Sequence, residues 1–112
     1  MTQATSLEYL RAQGEQAAAV AADMLSGSLS FLEGARLLSR LRTCLSLPAD
    51  DPDFSLFVAV DSETDHLPLG SVREHWSTDA LARLQPEIQI AESHARQSCT
   101  HAAQAIIERF SV

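Results

Sequence analysis

An all-α bundle is the fold class this sequence predicts, on three observations. Only 5% of the residues are aromatic while alanine is abundant, a balance that suits close-packed helices better than sheets. Apolar residues recur at three- and four-residue spacing over long stretches, the first two opened by hydroxyl-bearing capping boxes. The single β-prone run, FSLFVAV at 54–60, finds no second strand in the chain to pair with. With 112 residues the chain is long enough for one core and no more, so residues 1–112 are expected to form one compact bundle. That bundle has three main helices, shorter helices and an ordered acidic loop.

The first helix is expected to start at Thr5. TSLE puts a hydroxyl at the N-cap and Glu8 three residues on, so that each side chain can satisfy an orphan amide. Leu7, Leu10, Ala17, Val20, Met24 and Leu25 then mark the core face, with Gly14 a local weakness and Ser26-Gly27 the stop. SFLE repeats the box with Ser30 and Glu33, ahead of a stripe through Phe31, Ala35, Leu38, Leu41 and Leu45 that Pro48 ends. The middle reads as a short helix, with Asp51 at the N-cap, Pro52 at N1, and Phe54, Phe57 and Val58 on one face; a lone strand is the alternative. DSETDHLPLG, residues 61–70, reads as a structured loop, and SVREHW is ambiguous between loop and a single helical turn. Ser77 caps a short helix through Leu84, and Pro86 at N1 opens the longest one. Its stripe is Ile88, Ala91, Ala95, Cys99, Ala102, Ile106 and Phe110.

The net charge of −7 is concentrated. Residues 1–49 are balanced, and residues 66–112 carry one excess acid. The remaining six negative charges are Asp50, Asp51, Asp53, Asp61, Glu63 and Asp65, with no base among them. Such a face attracts basic partners. All eight cations are arginines spread along the chain, so no basic patch offers itself to nucleic acid. No apolar run reaches the roughly 20 residues a bilayer span needs, and the first residues lack a signal-peptide pattern. No membrane association and a cytoplasmic location are the expectation. Cys44 and Cys99 lie far apart without CxxC spacing, which disfavours zinc; in a reducing compartment they read as small packed hydrophobes and not as a disulfide.

Asp61, Glu63 and Asp65 have the first three ligand spacings of a calcium loop. Position six is His66 where glycine belongs, and position twelve is Val72 where glutamate belongs. No metal or other cofactor is therefore expected. His94 and His101 share a helix face with Glu87 and Glu108, but the seven-residue spacing is a poor chelate and the face reads as solvated. There is no nucleophile elbow and no Gly-rich phosphate loop, and no catalytic residue is assigned. Arg73, eight residues after Asp65 and beyond the Pro-Gly corner, is expected to brace the acidic loop. Trp76 is a core plug if buried and a binding anchor if exposed.

DSETDHLPLGSVREHW, with ALARL and AAQAIIERF downstream, resembles a group of small uncharacterised bacterial proteins. They share an SETDxLPxG core followed by an Arg and a Trp, and the resemblance covers residues 30–110. It implies no activity. By analogy of size and charge, the leading expectation is a non-catalytic binding protein, such as an immunity or inhibitor protein against a basic, nuclease-type toxin. Its contact residues would be Asp50, Asp51, Asp53, Asp61, Glu63, Asp65, His66 and Trp76. One alternative is a metal-dependent or acid/base enzyme built on Asp61–His66. Another is a structural or regulatory subunit that forms a homodimer through the alanine-rich first or last helix.

Overall fold

The computed structural model describes residues 2–110, with side chains from residue 6 onward. Four α-helices and one 3-10 helix follow one another without a strand among the described residues. They are α1 (Thr2–Ser26), α2 (Phe31–Cys44), α3 (Ser55–Thr64), a 3-10 helix (Gly70–His75) and α4 (Thr78–Phe110). The all-α bundle is as the sequence predicts, and the 54–60 ambiguity resolves to helix. α4, at 33 residues, spans roughly 50 Å at about 1.5 Å per residue. That length sets the longest molecular extent of 53 Å, against 28 and 24 Å across.

α1 lies along the C-terminal half of α4, and α2 bridges α1 and α3. The core forms where these faces meet: Ala17, Ala21 and Met24 of α1, Phe31, Leu38 and Leu41 of α2, Phe54 and Phe57, and Ala95, Cys99, Ala103 and Ile106 of α4. Small residues on α1 and α4 let the backbones approach closely. Two glycines do so further. A Cβ on Gly14 would stand 2.6 Å from Cδ1 of Phe110, whose ring meets Phe54 edge-on at 6.2 Å. A Cβ on Gly34 would collide with the side chain of Met24, itself wholly buried. Gly14 is thus a packing requirement as well as a local weakness.

Several boundaries differ from the sequence reading. α1 begins at Thr2, so Thr5 lies inside it; the Thr5 side chain is outside the described ones. Leu7 and Leu10, expected in the core, are 64% and 38% exposed because α1 reaches past the packed body. Ser30 does cap α2, its hydroxyl accepting from the Glu33 amide at 3.1 Å. The next two amides are taken from elsewhere: Phe31 N donates to Glu92 Oε2 at 2.8 Å and Leu32 N to Glu92 Oε1 at 3.1 Å. A carboxylate at a helix N-terminus also meets the positive end of the macrodipole. Arg96 completes the cluster, 3.4 Å from Glu92 and stacked 4.8 Å over the Phe31 ring.

α2 stops before Pro48 is reached. Ser46 adopts φ 58°, and Leu47 N returns to Arg42 O at 3.0 Å, a left-handed termination. Asp51 is not the N-cap of α3. The cap position is Phe54, while Asp51 organises the preceding turn by accepting from Asp53 N at 3.0 Å. α3 then continues to Thr64, so the first four residues of DSETDHLPLG are helical and the loop proper begins at Asp65. Ser77 caps as expected, accepting from Ala80 N at 3.1 Å. Pro86, however, opens nothing. It sits inside a continuous α4, where residue 82, whose carbonyl loses its helical donor, is exposed and can turn to water.

Candidate functional site

The six carboxylates of residues 50–65 fall into two groups with different surroundings. At the first end, Asp51 is 6% exposed. Arg109, arriving from the last turn of α4, donates through Nη1 to both Asp51 oxygens at 3.0 and 3.1 Å and to Asp53 Oδ2 at 2.9 Å. Burial alone would raise the Asp51 pKa. The Arg109 guanidinium and the amides of Asp53 and Phe54 outweigh it and hold the carboxyl below its usual value. The same contacts raise Arg109 further above its ordinary range. Asp51 and Asp53 therefore tie α4 to the turn before α3. Asp51 faces inward, contrary to its expected place on a contact surface.

Asp61 lies between the two groups. Its Oδ1 is 3.8 Å from Nε of Arg36 on α2, both side chains being partly covered. Arg36 also donates through Nη2 to the carbonyls of Thr64 at 2.5 Å and Leu67 at 2.8 Å. These carbonyls belong to the end of α3 and the loop after it, where helical donors have run out. Arg36 is thus the brace of the acidic loop, in place of Arg73. Among the described residues no side-chain hydrogen bond or ion pair joins Arg73 to the acidic segment; it leaves from the 3-10 helix, beyond the Leu-Pro-Leu corner. That corner is the apolar anchor of the loop, with Leu67, Pro68 and Leu69 buried.

Glu63 and Asp65 at the far end, and Asp50 next to Asp51, are exposed, and no cation pairs with them among the described residues. His66 leaves the cluster, its Nε2 meeting Glu87 Oε2 of α4 at 2.6 Å across the surface. Asp61, Asp65 and His66 therefore do not converge. Among the described residues no group of three or more His, Cys, Asp or Glu side chains is placed to hold a metal ion. Trp76, 39% exposed at the end of the 3-10 helix, is a surface side chain and not a core plug.

Two concave surfaces flank these groups. One, of about 620 Å³, runs between α3 and α4: Val60, Ala91 and Ala95 form its floor, the exposed Leu56, Ala59 and Ile90 its lips, and Glu63, Glu87, Arg83 and His94 its rim. Cys99 lies at its base, and burial pushes its thiol pKa up, which opposes thiolate chemistry there. The other, of about 910 Å³, lies between α1 and the end of α4, with Leu45, Leu47, Ile107 and Phe110 beneath Arg11 and Glu15. Both cysteines are free thiols.

Arg36, Arg109 and Glu92 were not singled out by sequence. Each is an ordinary charged residue on a helix, and its partners in the acidic segment or on α2 lie 25 to 61 residues away. Local spacing carries no trace of such pairs. No helix among the described residues is long and apolar enough to cross a membrane. Compared with known proteins, the chain matches no family model, no curated sequence and no solved structure.

Proposed function

We propose that the chain is a small non-catalytic binding protein of the cytoplasm that engages a basic protein surface. A nuclease-type toxin domain is the most concrete partner, with the chain as its immunity or inhibitor protein. The supporting observation is the uneven neutralisation of the acidic segment. Three of its carboxylates are matched by Arg109 and Arg36, whereas Asp50, Glu63 and Asp65 are exposed and, among the described residues, unmatched on a braced framework. Fixed, uncompensated charge accelerates encounter with a cationic partner and makes association salt-sensitive. The contact set expected from sequence narrows accordingly: Asp51 and Asp53 act as scaffold, while Trp76 stays available as an exposed anchor.

The test is a titration of immobilised chain against purified basic nuclease domains at low and high salt. Binding should weaken as salt rises. Changing Asp50, Glu63 and Asp65 together to Asn, Gln and Asn should slow association by about tenfold or more and flatten the salt dependence. Binding that ignores both salt and these substitutions would sink the proposal.

A further inference from the structure

The first half of α4 rests on its own protein along one side, through the partly buried Leu84, Ile88 and Ala91 and through Glu92. Residues 78–94 contribute no fully buried side chain; burial begins at Ala95. At 17 residues it is little longer than the roughly 12–15 residues below which an isolated helix is marginal in water. Pro86 within it removes an intrahelical hydrogen bond. Ile90, at its middle, is 71% exposed, and Leu56 across the groove is 43% exposed. Apolar lips of this kind beside an apolar floor mark a surface that another protein covers.

The charge pattern selects the occupant. Glu87, Ile90, Ala91 and His94 have the i, i+3, i+4, i+7 spacing of one helical stripe, and all four line the groove. The stripe reads alike in both directions about its centre. Glu87 lies three residues before Ile90, and His94 three residues after Ala91. Two such stripes packed antiparallel about a twofold axis set each Ile90 against the other copy's Ala91, and each Glu87 opposite the other copy's His94. A rim of one sign would repel its own copy. This one mixes Glu63 and Glu87 with Arg83 and His94. His66 holds Glu87 at the groove edge, so the carboxylate is already positioned. We propose that the α3–α4 groove is a self-complementary interface joining two copies of this chain through Ile90 and the Glu87–His94 pairs.

Sedimentation velocity of the full chain tests this apart from any binding to a basic protein. The expected mass is twice 12.2 kDa. At about 0.1 mM chain even a Kd of roughly 10 µM leaves most molecules paired. Ile90→Glu should raise the dissociation constant by about tenfold or more with helicity unchanged, because Ile90 is exposed in the single chain. His94→Glu should also weaken pairing by facing two carboxylates, and adding Glu87→Arg in the same chain should restore it. A wild-type chain that sediments as a monomer at that concentration overturns the proposal. So does a dimer indifferent to both Ile90→Glu and the charge exchange, which would be using another face, such as Leu7 and Tyr9 on α1.

Discussion

The two ends of the acidic segment have the same composition and opposite fates. Asp51 and Asp53 are drawn under the end of α4 and saturated by Arg109; Glu63 and Asp65, a dozen residues on, are exposed with no cation paired to them among the described residues. Charge density in a sequence therefore does not separate scaffold from contact surface. What separates them is whether a distant helix delivers a cation, and that depends on where α4 ends in space. The closed end carries fold stability, and the open end carries the field that a partner senses.

The sharpest way to break this contrast is Arg109→Ala, which strands Asp51 with its burial but without its partner. Losing one member of a buried pair costs about 3–5 kcal/mol. Since Arg109 is itself one-third exposed, a loss of about 2–3 kcal/mol in urea unfolding is expected. Arg36→Ala should cost about 1–2 kcal/mol, because the Thr64 and Loop carbonyl at Leu67 lose a charged donor. Amide exchange at residues 65–69 should rise with it. The acid limb gives a third handle. The Asp51 pKa is lowered on folding, so its contribution is complete above the unfolded value near 3.9 and is lost as pH falls through the depressed folded value. Asp51→Asn should therefore flatten the loss of stability below about pH 4. At the open end, Glu63→Gln with Asp65→Asn should move stability by no more than about 0.5 kcal/mol. A larger drop there would erase the distinction between the two ends.

Features that depend on neighbours in sequence were legible. The Ser30 and Ser77 caps, the stop at Ser26-Gly27, and the Ala95–Cys99–Ala102–Ile106 stripe all follow from three- and four-residue spacing. Pro86 was misread because proline is favoured at N1, yet an exposed helix interior tolerates it when water reaches the freed carbonyl. The loop brace was assigned to Arg73 because it is close in sequence. Arg36 wins because α2 packs directly on α3, and contact between elements outranks proximity along the chain. In the site, then, the exposed carboxylates could be read in advance, but not which of their neighbours were already taken.

The carboxylate of Glu92 on the first two amides of α2 also bears on how the chain is made. Synthesis runs from the N-terminus at about 5–20 residues per second, so the 61 residues between Phe31 and Glu92 take roughly 3–12 s to emerge. During that interval α1 and α2 can touch, but α2 begins with two amides that only water satisfies. Closure of the bundle is therefore a late event that waits for α4 to emerge at least as far as Glu92. A nascent chain paused before that point would remain open to proteases and chaperones.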